Sequence, residues 1–144
     1  MSTATRFIIV DDDVLNNRIC TLTLEKIYSE AEIKTFLDPV EGFEQLVSEA
    51  KQENDSRIVL FLDIAMPSMD GWEFLERFDD LDTSIKEKIR IYMLSSSDNS
   101  KDIERAMANK HIVHYLVKPF TKKTIRLITL SLSRNAEPIE GSVD

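Results

Sequence analysis

Ile58-Val59-Leu60-Phe61-Leu62 is an unbroken apolar run that stops at Asp63, with Ile64-Ala65-Met66-Pro67-Ser68-Met69-Asp70-Gly71 behind it. A short run of this kind suits a strand buried on both faces, as in the middle of a parallel sheet. Three other runs follow the same plan. Phe7-Ile8-Ile9-Val10 stops at Asp11-Asp12-Asp13, Ile91-Tyr92-Met93-Leu94 at Ser95, and Tyr115-Leu116-Val117 at Lys118-Pro119. Parallel strands point one way, so the four stops converge on one edge of the sheet. Ligands of open α/β sheets bind there, outside the carboxyl ends of the strands.

Between the strands lie helical patterns, and that alternation predicts βαβ units with helices on both faces of the sheet. The first helix is expected from Val14 to about Ser29, followed by a short strand from Glu32 to Leu37. Asp38-Pro39-Val40-Glu41 then opens a helix: an N-cap acid, a proline at the first position and a glutamate three residues after the cap. Val40, Phe43, Val47 and Ala50 continue it at helical spacing, and residues 51–57 read as a polar loop. Asp70 with Glu73 repeats the cap pattern and starts a third helix through Trp72, Leu75 and Phe78. Residues 79–88 form a charged connection. Asn99 or Ser100 caps a fourth helix, with Ile103, Ala106, Met107 and Lys110 along one stripe. The fifth strand is Ile112 to Val117, and Thr121 caps a last helix through Ile125, Ile128 and Leu132. Residues 5–135 make one domain, and 136–144 read as a disordered polar tail.

The chain carries 18 Lys and Arg against 26 Asp and Glu, a net charge of −8. That balance disfavours nucleic acid as a partner, because nonspecific binding needs a basic surface. No apolar run is long enough to span a bilayer and no signal-peptide core stands at the N-terminus, so a cytoplasmic protein with no membrane partner is expected. The single cysteine, Cys20, lies in a helical pattern and reads as a small buried hydrophobe.

Gathered at one edge, Asp11, Asp12 and Asp63 repel one another and call for a cation or a proton. Mg²⁺ suits such a set, since it takes oxygen ligands and is usually bound by one or two carboxylates plus a phosphate. A carboxylate at the position of Asp63 can attack phosphorus to give an acyl phosphate. Lys118 supplies a compact cation for the phosphoryl oxygens and Ser95 a hydroxyl donor.

With these residues in hand, the chain resembles the receiver domains of two-component response regulators over roughly residues 5 to 135. The resemblance rests on Ile9-Val10-Asp11-Asp12-Asp13, on Leu62-Asp63-Ile64-Ala65-Met66-Pro67-Ser68-Met69-Asp70-Gly71, on Met93-Leu94-Ser95-Ser96 and on Tyr115-Leu116-Val117-Lys118-Pro119-Phe120. Each motif alone is weak; all four in this order are specific. The resemblance implies a doubly wound, five-stranded parallel sheet of flavodoxin-like order 2-1-3-4-5. It implies Asp63 as phosphoacceptor, Asp11 and Asp12 as the acidic pair for Mg²⁺, and the backbone carbonyl of Ala65 as a further metal ligand. Ser95 and Tyr115 take the hydroxyl and aromatic switch positions, Lys118 the lysine position, and the Lys118–Pro119 bond is expected to be cis. A histidine kinase or histidine phosphotransfer protein is the implied donor. The implied output is a downstream protein or a self-dimer, through the fourth helix, fifth strand and fifth helix, with Ile103, Met107, Tyr115, Lys122, Ile125 and Arg126. Such a domain is a signalling switch that catalyses only its own phosphorylation and slow autodephosphorylation. The chain departs from the family at His111-Ile112, where Gly-Ala is common, and at Ala65, where some relatives place a polar side chain.

Other functions fit less well. A metal-dependent phosphohydrolase with an aspartate nucleophile typically shows Asp-x-Asp near its N-terminus and a cap insertion, and here the central acid is on the third strand. A flavodoxin-type cofactor binder needs a phosphate-cradling loop where Asp11-Asp12-Asp13 stands. Asp70 reads as a helix cap, Asp13 as the start of the first helix, and His111 and His114 as surface or strand-edge residues without zinc spacing.

Overall fold

The computed structural model describes residues 5–52, 57–96 and 99–133. Residues 97–98, before the expected cap of the fourth helix, and the whole 136–144 tail lie outside them. Five strands alternate with helices: β1 Thr5–Val10, α1 Val14–Ile27, β2 Glu32–Phe36, α2 Pro39–Ala50, β3 Arg57–Asp63, α3 Gly71–Asp79, α4 Thr83–Lys86, β4 Ile89–Ser95, α5 Ser100–Ala108, β5 Ile112–Val117 and α6 Lys122–Ser133. Every strand pairing is parallel and the order is β2-β1-β3-β4-β5, with β3 in the centre. The expected fold class stands. The charged connection at 79–88 contains the one-turn helix α4, so the fourth and fifth helices expected from sequence are α5 and α6. Three ends fall short: α1 stops at Ile27, before Ser29, β2 at Phe36, before Leu37, and α5 at Ala108, before Lys110.

The helix starts follow their caps. Asp13 accepts from the backbone N–H of Leu15 and Asn16, and Asp38 from that of Val40 with Pro39 behind it. Asp70 and Glu73 form a reciprocal capping box, and Asn99 and Thr121 cap α5 and α6. Each cap replaces an orphan donor's lost water and stabilises its helix by about 1 kcal/mol.

Alternation along the strands sorts the core into two layers. Ile8, Val10, Leu60, Leu62, Ile91 and Met93 face Leu46, Phe74, Phe78, Ile85 and Ala106, so α2, α3, α4 and α5 cover that side. Phe7, Ile9, Val59, Phe61, Tyr92 and Leu94 face Cys20, Leu24, Ile125 and Ile128 of α1 and α6. Phe61 lies at the centre of the second layer, with ring centroids 5.5 Å from Tyr92 and 5.1 Å from Phe120. Truncating a buried ring of this kind to a methyl costs about 3–5 kcal/mol. α5 contributes little to the core: Ala106 is its one buried residue, and Met107, expected on the stripe with Ala106 and also on the output surface, is 57 % exposed.

Two features were not expected from the sequence. Glu49 is buried on α2 and takes hydrogen bonds from Gln45, Lys34 and Arg6. Burial pushes its carboxyl up, but the bonds from Gln45 and Lys34 outweigh that and hold it below the usual range. In β5, Ile112 pairs with Ile91 while His114 pairs with Tyr92, so β5 has one residue more than β4 across this step. An extra residue of this kind re-aims the side chains beyond it. It puts Tyr115 beside Met93 and against the α5 layer, with Leu116 on the α6 layer.

Candidate functional site

The ends of β1, β3 and β5 bring Asp11, Asp63 and Lys118 together. Asp11 is wholly buried and Asp63 is 5 % exposed, while Asp12 points to solvent. Lys118 Nζ bridges the two buried acids, 2.8 Å from Asp11 Oδ2 and 3.4 Å from Asp63 Oδ1. One carboxylate oxygen from each of Asp11, Asp12 and Asp63 lies within 4.8 Å of the others. Ser95 is buried at the end of β4, and its carbonyl accepts the Lys118 backbone N–H at 2.8 Å. Strand register therefore fixes the hydroxyl residue and the lysine to each other. The Lys118–Pro119 peptide is cis, as expected.

The loop after Asp63 is tied down from both sides. Ile64 donates to Leu94, and Gly71 donates to Ile64 at 2.8 Å. A Cβ on Gly71 would come within 2.7 Å of the Asp63 carbonyl and of Met93 Cε. Glycine is required there by close approach, and it lets α3 begin directly against the Asp63 backbone. Met66 and Met69 are buried in this loop, in accord with a packing role, and Ala65 is exposed two residues past Asp63.

The electrostatics match this crowding. Burial, then the charge of Asp11, push the Asp63 carboxyl up to about 7, with Lys118 opposing. Burial alone would lower the Lys118 amine, but Asp11 and Asp63 hold it above its ordinary value, so it stays charged. Lys118 pairs with two of the three acids, so the all-oxygen donor set keeps an excess of negative charge. A hard divalent cation of the Mg²⁺ type fits those residues.

Sequence reasoning missed two members of the site. Asn16 donates to Asp11 Oδ2 at 2.7 Å, and Asn17 donates to the Asp11 carbonyl at 2.9 Å; both side chains are buried. The available signal was spacing: Asn16 heads the Asn16, Cys20, Leu24 stripe, where a polar residue on a buried face calls for a partner. Burial pushes the Cys20 thiol up to about 12, which fits a packing role. His111, expected at the surface, is 2.7 Å from Asp79 and edge-on to Phe78, and His114 is half-buried against Tyr92. Trp72 is half-buried, with the Arg105 guanidinium 4.2 Å from its ring centre. Of the expected output surface, Ile125 is corrected: it is 5 % exposed and packs into the α6 layer. The helical phase set by the Thr121 cap turns it inward.

The family model for the response regulator receiver domain matches residues 7–129. The chain belongs to that family. A response regulator receiver protein from Dyadobacter fermentans is similar at 32% identity, over 90% of this chain and 97% of that one, with a TM-score of 0.76. The chemotaxis response regulator CheY4 of Vibrio cholerae shares 25% identity over 92% of this chain and 98% of its own, TM-score 0.67. A two component response regulator from Cytophaga hutchinsonii, at 23% identity over 93% of this chain and all of that one, shares the fold with a TM-score of 0.78. No curated protein sequence gives a significant match. Receiver domains are signalling domains of two-component systems. Among the described residues no helix is long and apolar enough to cross a membrane.

Proposed function

We propose that this receiver is a phosphoaspartate switch in which Asp63 accepts a phosphoryl group from a histidine kinase or histidine phosphotransfer protein. One observation carries the reading: Lys118 spans two buried acids beside an exposed third, at the end of the central strand. An Asp63 carboxylate oxygen attacks phosphorus, the phosphorus–nitrogen bond of the phosphohistidine breaks, and the bond pair leaves on an imidazole made neutral by the proton already on its other ring nitrogen. Phosphoryl transfer asks chiefly for positioning and charge neutralisation. Lys118 is placed to follow the phosphoryl oxygens, and the Ser95 hydroxyl to donate to one of them. Asp11, Asp12, Asp63 and the Ala65 carbonyl would hold Mg²⁺, which when bound supplies further positive charge at the phosphoryl oxygens. We assign the receiver unit to residues 5–135 and its location to the cytoplasm. Neither nucleic acid nor membrane belongs among its partners on this reading.

The test is uptake of phosphate from acetyl phosphate, which should require Mg²⁺ and stop at one group per chain. Sustained hydrolysis of a generic phosphomonoester would instead favour the phosphohydrolase.

Mg²⁺ affinity should depend most on Asp12, the exposed acid of the three and the one that no ion pair among the described residues holds. Asp12→Ala is expected to weaken Mg²⁺ binding about tenfold or more. Trp72 fluorescence reads it, because that residue follows Gly71, which packs on the Asp63 carbonyl. Unchanged affinity would remove Asp12 from the ligand set.

The signal is proposed to leave through α5, β5 and α6, to a downstream protein or a second copy. Met107 is 57 % exposed and Leu130 48 % exposed on these elements, with Lys122 and Arg126 also at the surface. Ser95 and Tyr115 link the site to that surface, since their strand partners Val117 and Met93 place them diagonally across β4 and β5. Phosphorylation shifts the populations only by its differential interaction with the two arrangements. Ser95→Ala should accept phosphate on Asp63 yet lose most of the change in amide exchange over 99–128. A full response to beryllofluoride in that variant would make the hydroxyl a bystander.

A further inference from the structure

We propose that Asn16 is a positioning residue of this receiver: it shares the Asp11 carboxylate with Lys118 and so frees the lysine to turn toward the arriving phosphoryl group. The inference rests on the proposed phosphorylation of Asp63 and concerns how that step is prepared.

Asp11 is the most fully held side chain of the site. Its Oδ1 accepts the Asp13 backbone N–H at 2.9 Å. Its Oδ2 accepts Asn16 Nδ2 at 2.7 Å and Lys118 Nζ at 2.8 Å. Its own N–H donates to Phe36 and its carbonyl accepts Asn17. A carboxylate offers about four lone-pair positions. Three are used here, and both on Oδ2 face inward. The amide of Asn16 is oriented by charge, since its oxygen would be repelled by the carboxylate while its nitrogen is drawn to it. Asn16 is 5 % exposed, and its 3.7 Å contact with Cys20 Sγ packs it along the inner face of α1.

The consequence concerns Lys118. Its ammonium sits 2.8 Å from Asp11 and 3.4 Å from Asp63, so in this arrangement it belongs more to Asp11. A phosphoryl group on Asp63 asks the lysine to give up part of that contact. Were Lys118 the only donor to Oδ2, leaving would strand a buried charged acceptor, which is costly. With Asn16 in place, Oδ2 keeps a donor of fixed position while the lysine moves. Asn16 touches neither phosphorus nor metal in this scheme and acts through Asp11 and Lys118.

The experiment uses the full chain, acetyl phosphate and Mg²⁺, with Asn16→Leu as a near-isosteric side chain that cannot donate. The maximal phosphorylation rate should fall about tenfold, while the Mg²⁺ concentration giving half that rate moves less than about threefold. On a Lys118→Ala background the same substitution should change the residual rate little, because the residue it acts through is gone. Equal losses in both backgrounds, a full rate, or a loss confined to Mg²⁺ affinity would overturn the proposal. If Asn16→Leu fails to fold, Asn16→Ser removes the same reach at smaller volume and is read identically. The ammonium signal of Lys118 in ¹⁵N-lysine-labelled protein gives a readout without phosphorylation. Its proton exchange should slow several-fold in the variant as the lysine becomes the only donor to Oδ2, and an unchanged signal would overturn the sharing. Wild-type protein inert to acetyl phosphate would defeat the function proposed above, and the ammonium signal would still decide whether Asn16 and Lys118 share Asp11.

Discussion

Asp63→Asn protein, incubated with Mg²⁺ and acetyl phosphate, is expected to take up no hydroxylamine-labile phosphoryl group. The other acids at the edge are unsuited to replace it. Asp11 is occupied on both oxygens by Asn16, Lys118 and the Asp13 N–H, so an attacking lone pair is not presented to solvent. Asp12 is exposed, and among the described residues no lysine is paired with it to neutralise the product. Asp63 combines burial, a position at the end of the central strand and a lysine at 3.4 Å. An amide in its place keeps the shape and removes the nucleophile. Intact mass and peptide mapping after hydroxylamine read the result; label in full yield on the variant would move the acceptor elsewhere.

The same substitution should make the metal-free protein more stable, by about 2–4 kcal/mol near pH 8. The Asp63 carboxyl titrates at about 7 in the folded chain because of burial and the neighbouring Asp11. In the unfolded chain an aspartate titrates at about 3.9. Between these values the folded chain keeps a proton that the unfolded chain has released, so wild-type stability falls as pH rises from about 4 to about 7. Above that window the loss is complete. Asparagine has no proton to lose, so the advantage of the variant opens across the window and then stays constant. Lys118 keeps its 2.8 Å partner Asp11 in the variant, so the substitution leaves no stranded cation. Added Mg²⁺ should narrow the gap by stabilising the wild type more than the variant, which keeps Asp11 and Asp12 but has lost one carboxylate ligand. Urea unfolding near pH 4, 6 and 8 measures it, and a gap that did not grow with pH would show that crowded charge is not its origin.

Much of this architecture was legible because local chemistry and tertiary role agree. The apolar strand ending in Asp63, the Asp38-Pro39 and Asp70 to Glu73 starts, and the acid-to-lysine stops could each be read from neighbours within a few residues. What escaped depends on partners distant in sequence or on a single residue of phase. Asn16 looks like a mediocre helix residue until Asp11 is seen beneath it. Glu49 resembles a surface acid until Arg6 and Lys34 arrive from β1 and β2. The extra residue in β5 has no signature in Ile112-Val113-His114, yet it decides which layer Tyr115 joins. Ile125 was expected both on the inner stripe with Ile128 and on the output surface that the resemblance implied, and burial bears out the stripe alone.

The light seating of α5 bears on the fidelity of the switch. With Ala106 as its one buried side chain, a shift of the helix in the proposed switch would uncover little apolar area, and that area would add little to the free-energy gap between the two arrangements. A small gap makes the domain sensitive, because the few hydrogen bonds gained at a phosphorylated Asp63 can tip it. A small gap would also let unphosphorylated molecules visit the signalling arrangement, each 1.4 kcal/mol of gap corresponding to about a tenfold rarer excursion. Responsiveness and background leak are thereby tied to one helix face, and larger apolar residues there would trade gain for silence.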